Sequence, residues 1–140
     1  MKRLSVIILP VFLLVMLAAG TIYAQGTFTV IRGDIPFDFI VGDKTLPAGN
    51  YEFHPLLGKN TLPKLQNTKN LEVVVLRTTV LTENGKQVKP MFVFRRYGEQ
   101  YYMAQIWNGS NAGIEVPRSS KELQVAKNYT QPQVIYIAAK

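Results

Sequence analysis

Beyond an unbroken apolar stretch near its start, the chain settles into short runs of β-branched and aromatic residues separated by Gly, Pro, Asn and Asp. Helical periodicity is almost absent before Ser119, so this punctuation predicts an all-β domain. Thr27 to Ile31 is a first candidate strand. In a second, Ile35, Phe37, Phe39 and Val41 alternate with Pro36, Asp38 and Ile40. Pro36 suits a strand start or a sheet edge, because it has no N–H for an interior ladder. Gly42-Asp43-Lys44 and Leu46-Pro47-Ala48-Gly49 predict two sharp turns, the latter leading into Asn50 to His54 with Tyr51 and Phe53 on one face.

Leu56 to Asn70 has loop composition around Leu62 and Leu65 and leaves room for one brief strand. Leu71 to Leu81 is apolar on both faces, which predicts a central strand covered on both sides. Asn84-Gly85 favours a type I′ hairpin turn and makes Met91 to Arg96 the antiparallel partner of that strand. Tyr97-Gly98-Glu99-Gln100 then returns the chain as Tyr101 to Trp107. Two registers are open here: a Gly98-Glu99 loop sets Arg96 opposite Tyr101 and Phe94 opposite Met103, whereas a Tyr97-Gly98 loop sets Arg96 opposite Glu99 and Phe94 opposite Tyr101. Ile114 to Pro117 is at most a short edge segment. Ser119-Ser120-Lys121-Glu122 has capping-box spacing, starting a helix of about two turns whose narrow apolar face is Leu123 and Ala126. Gln133 to Ala138 is a last strand that closes a barrel or covers a sheet edge. The whole predicts an antiparallel β-barrel or curled β-sandwich of about seven or eight strands with one short C-terminal helix.

The N-terminus changes the context. Met1-Lys2-Arg3 is a positive n-region, Leu4 to Ala19 an apolar h-region, and Ala24 a small residue at a cleavage position before Gln25. The apolar run is shorter than the roughly 20 residues that span a bilayer, so residues 1–24 are expected to be a signal peptide and 25–140 a single all-β domain with no transmembrane span. The expected location is periplasmic or extracellular. With 47% hydrophobic and 18% charged residues the chain is not of disordered composition, and it has no cysteine. That excludes disulfide frameworks, thiolate metal sites and cysteine nucleophiles. The net charge is +7; in an exported protein the anions at hand are envelope components and not nucleic acid, but the positive residues are scattered along the chain, which suits solubility alone better than a dedicated anion patch.

Catalytic signals are weak. His54 is the one histidine, placed before Pro55 at a strand end with no oriented partner nearby in sequence. Asp34, Asp38 and Asp43 lack the spacing of a calcium loop and suit turns and edges. The glycines fall singly between apolar runs, as turn punctuation and not as a phosphate loop. No catalytic residue, metal or cofactor is expected. The most suggestive group lies on one hairpin, where Arg95, Arg96, Tyr101, Tyr102 and Trp107 are candidate ligand-binding residues: aromatics interleaved with arginines stack on flat ligands and pair with carboxylate or phosphate.

Two stretches carry a resemblance: Ile35-Pro36-Phe37-Asp38-Phe39 through Leu46-Pro47-Ala48-Gly49-Asn50-Tyr51, and Phe92 through Trp107 followed by Val116-Pro117-Arg118-Ser119. They resemble a group of small exported bacterial proteins, common in soil acidobacteria, that are predicted to be all-β and have no assigned activity. The resemblance implies a bacterial host and brings no functional residues. The expected function is an exported, non-catalytic binding or envelope-associated protein for a small molecule or anionic envelope component. The alternatives are a structural component that self-associates through a strand edge and a hydrolase with dispersed carboxylates.

Overall fold

The computed structural model describes residues 29–55, 62–82 and 88–140. Among them are β1 (Ile31–Ile35), β2 (Phe39–Val41), β3 (Lys44–Leu46), β4 (Gly49–His54), β5 (Lys64–Asn67) and β6 (Val73–Val75). There follow β7 (Thr79–Thr82), β8 (Met91–Tyr97), β9 (Gln100–Trp107), β10 (Ala112–Glu115), the helix α1 (Ser120–Ala126) and β11 (Gln133–Ala138). The predicted class, all-β with one short helix near the C-terminus, is the class observed, with more and shorter strands than expected. The segment read as an export signal lies outside the described residues.

Two sheets share one core. The first runs β1-β4-β5-β6, the second β11-β8-β9-β10-β7, both antiparallel. The β2–β3 hairpin attaches to the second sheet by a parallel contact between Ile40 and Tyr102. Ile31, Ile35, Tyr51, Phe53 and Leu65 of the first sheet pack against Phe92, Phe94, Met103 and Ile106 of the second. The period-2 rule places Tyr51 and Phe53 together, as the sequence predicts. Gly33, between Ile31 and Ile35 on the inward face of β1, makes room for this core: a Cβ there would lie 2.6 Å from a Phe92 ring carbon. At one margin the sheets are tied by reciprocal Arg32 and Lys140 backbone bonds of 2.9 and 2.8 Å. No closed barrel forms among the described residues, and β6 and β7 are left as sheet ends.

Several boundaries differ from expectation. The stretch from Ile35 to Val41 is not one strand, because Pro36-Phe37-Asp38 separates β1 from β2. Asp38 Oδ1 accepts the Ala48 N–H at 2.9 Å, pinning the second turn. The Leu71 to Leu81 run is not a central strand covered on both sides. Leu71 takes a φ of 59°, and the run breaks around Arg77-Thr78 into β6 and β7, each paired on one side only among the described residues. Leu71, Val73, Val75 and Val80 are exposed. Nor is Met91 to Arg96 the partner of that run: β8 lies between β9 and β11, and β7 pairs β10. The Asn84-Gly85 turn lies outside the described residues. Ile114 is interior and not at an edge, since β10 pairs both β9 and β7.

For the β8–β9 hairpin the Gly98-Glu99 loop is the observed one, with Arg96 opposite Tyr101 and Phe94 opposite Met103. The φ of 60° at Gly98 is what this tight turn requires. A bulge between Val93 and Phe94 shifts the register beyond it. Ser119 caps α1 by accepting the Glu122 N–H at 3.2 Å. The capping box is nevertheless half made, because the Glu122 carboxylate turns into the protein. Leu123 is half-exposed, and the helix docks through Glu122, Val125 and Ala126 instead.

Candidate ligand cleft

The five hairpin positions divide between two faces, as strand alternation dictates for neighbours such as Arg95 and Arg96. Arg95, Tyr102 and Trp107 are buried on the face covered by α1 and the segment at Val88. Arg95 Nε donates to Glu122 Oε1 at 2.5 Å and Nη2 to Oε2 at 3.1 Å, a bidentate pair. Nη2 also reaches the Val116 carbonyl at 3.2 Å, and Tyr97 O–H donates to Glu122 Oε1 at 3.2 Å. Arg95 Nε and Nη2 and the Tyr97 hydroxyl all face acceptors of the same chain, so this cluster fastens the helix to the sheet. Tyr102 O–H donates to Gln100 at 3.1 Å and Trp107 Nε1 to Gln105 at 3.0 Å. Burial, reinforced by the nearby Glu122 carboxylate, raises the Tyr97 and Tyr102 phenols above their ordinary pKa.

Arg96 and Tyr101 occupy the other face. The Arg96 guanidinium sits 5.2 Å from the Tyr101 ring centroid and donates to the Gly98 carbonyl at 2.7 Å. Tyr101 is stacked on Phe37 with centroids 3.8 Å apart. The hairpin therefore does not gather its arginines and aromatics on one surface.

His54 lies on the outer face of the first sheet, its Nε2 3.3 Å from Glu52 Oε2, while Arg32 Nε holds Glu52 Oε1 at 2.7 Å. Among the described residues no group of three or more histidines and carboxylates is arranged for a metal ion. No described helix is long and apolar enough to cross a membrane.

A cleft of about 570 Å³ opens where three segments meet: the β2–β3 turn, the end of β6, and the approach to α1. Val41, Asp43, Val75, Arg77, Arg118 and Ser119 are among its lining residues. Local structure explains each position. Gly42, with a φ of 61°, allows the two-residue turn that carries Asp43 to the rim. Leu76 N–H donates to the Pro63 carbonyl at 2.8 Å and its side chain is buried, so Arg77 next in line faces outward. Val116 is anchored in the same way by the Ala104 carbonyl at 2.8 Å, leaving Arg118 exposed before the Ser119 cap.

The two guanidiniums differ in what engages them. Arg118 Nε lies 3.9 Å from Glu122 Oε1, a carboxylate already taken up by Arg95. Arg77 has no ion pair or hydrogen bond among the described residues. Among the described residues, two arginines against one aspartate leave the lining net positive, with Val75 supplying exposed apolar surface beside them, an arrangement suited to an anion with an apolar portion. Neither arginine stands out in sequence. Arg77 lies inside the apolar run from Leu71 to Leu81, where its signal is that it interrupts the run, and Arg118 reads as the residue before a helix cap. A smaller cleft of about 150 Å³, bordered by Ile31, Phe53, Val80, Ile106 and Ile114, has no charged lining residue among the described residues. Compared with protein-family models, curated proteins and solved structures, the chain matches none.

Proposed function

We propose that this chain is an exported, non-catalytic binding protein, and that its ligand is a small carboxylate or phosphate with an apolar part held in the cleft at Arg77 and Arg118. The observation that carries this reading is the Arg77 guanidinium, free of partners among the described residues, at the rim of a cleft with a second guanidinium and exposed apolar surface at Val75. The Arg95 cluster supports it by contrast, because its guanidinium is buried and already paired in a bidentate way with the Glu122 carboxylate. The non-catalytic part rests on the lining: Asp43 is its single carboxylate among the described residues, whereas glycoside hydrolysis uses two and general-base chemistry needs an oriented partner. The segment at residues 1–24 supports export, and outside the cytoplasm the anions at hand are envelope components and not nucleic acid.

Octyl phosphate and octanol, titrated into the protein in parallel and followed by amide chemical shifts, test the reading. Octyl phosphate is expected to bind saturably and to move resonances at 41–43, 75–77 and 116–120, with octanol much weaker. Charged hydrogen bonds contribute about 1.5–3 kcal/mol each, so Arg77→Ala and Arg118→Ala should each weaken binding by about tenfold or more. Equal binding of the two probes, or unchanged affinity in both variants, would contradict the assignment.

A further inference from the structure

The cleft borders an open strand edge, and this narrows what it holds. Among the described residues β6 is paired to β5 alone. Asn67 N–H donates to the Glu72 carbonyl at 2.9 Å and Leu76 N–H to the Pro63 carbonyl at 2.8 Å, so residues 72 and 76 turn their backbone groups toward β5. Antiparallel alternation places Val74 with them and turns the N–H and C=O groups of Val73 and Val75 away from β5, to the unpaired side. Val75 also lines the cleft, and the Val73 and Val75 side chains are 42% and 55% exposed. Native edges are guarded by shortness, Lys, Pro or a bulge; β6, Val73-Val74-Val75, is short but carries no Lys or Pro. Just past its end stands Arg77, which lines the same cleft as Arg118.

Resting on the anion reading above, we infer that the ligand is an extended peptide end, adding to the β6 edge as a strand with its terminal carboxylate between Arg77 and Arg118. Each part of such a ligand meets a matching feature. Its backbone completes the Val73 and Val75 donors and acceptors, its apolar side chains lie over the valines, and its carboxylate neutralises the guanidiniums. The charge pattern also sets direction: positive groups stand at the Arg77 end of β6, whereas Glu72 at the other end is paired with Lys44 at 2.6 Å. The free carboxylate therefore belongs at the Arg77 end, which runs the bound peptide parallel to β6.

Three probes test this on the full folded chain: acetyl-trivaline with a free carboxylate, the same peptide as its C-terminal amide, and octyl phosphate. The free acid should bind at least about tenfold more tightly than the amide and slow hydrogen exchange at the Val73 and Val75 amides. Val75→Pro removes an outward N–H while sparing the bonds to β5, so it should weaken the acid by about tenfold and leave octyl phosphate unchanged. The exchange measurement needs no variant and stands if Val75→Pro does not fold. Octyl phosphate binding without the peptide would overturn the inference and leave the anion site intact. Failure of all three probes would overturn both. Protection of the Val75 amide that grows with protein concentration and without peptide would assign the edge to a second copy of the chain and overturn the inference.

Discussion

Arg95 shows how one residue type takes opposite roles according to its partners. In sequence it is a basic residue among aromatics; in the fold it is a buried cation whose carboxylate comes from a helix 27 positions away. Removing one member of such a pair leaves an uncompensated buried charge, a cost of about 3–5 kcal/mol. Glu122→Ala should therefore destabilise by that amount in urea unfolding, while Arg95→Met combined with Glu122→Leu recovers most of the loss. Additive losses in the double variant would show that the pair is not coupled. Nothing in the Ser119-Ser120-Lys121-Glu122 spacing reveals this partnership, because the same glutamate serves equally as the return arm of a capping box. Ser119 itself was legible, since capping is a local matter of three residues.

The tyrosines yield a prediction about alkaline pH. Burial raises Tyr51, Tyr97 and Tyr102 above the ordinary phenol value near 10, so the folded state prefers them neutral where the unfolded chain ionises them. Their contribution to stability is complete below about pH 10 and is lost as pH rises through the elevated folded values. Tyrosinate absorbance should show these three titrating late, together with unfolding, and Tyr97→Phe should lessen the alkaline loss of stability. Early, reversible titration of Tyr51, Tyr97 and Tyr102 in the native protein would contradict it.

At the scale of elements, what was legible is what local rules decide. Alternation places Tyr51 and Phe53 on one face, and the Gly98 turn closes the β8–β9 hairpin. Leu71 to Leu81 was misjudged because two apolar faces describe a strand without saying what will cover them. The break at Arg77-Thr78, the positive φ of Leu71 and the pairing of β10 with both β9 and β7 leave its halves as edges. Gly33 shows a constraint of the same tertiary kind, since a methyl group there would press on Phe92. Overpacking of this sort costs about 1–3 kcal/mol, so Gly33→Ala should lower the urea midpoint accordingly, and Phe92→Leu in the same chain should restore part of it. An unchanged midpoint in Gly33→Ala would mean that β1 and β8 have slack between them.

For the whole molecule, the filled core directs attention outward. Aromatic and aliphatic side chains of both sheets occupy the space between them, so a ligand is sought in a surface cleft and not in an interior. The cleft was not legible in sequence because its arginines come from separate segments, each unremarkable alone, that only the packing of β6, the β2–β3 turn and α1 brings together. The most direct test is native mass spectrometry of the protein purified gently from its own host, beside the Arg77→Ala, Arg118→Ala double variant. The account predicts a non-protein or peptide mass on the unmodified chain that is lost on denaturation and absent from the variant. A bare unmodified chain, or the same adduct on both proteins, would contradict it.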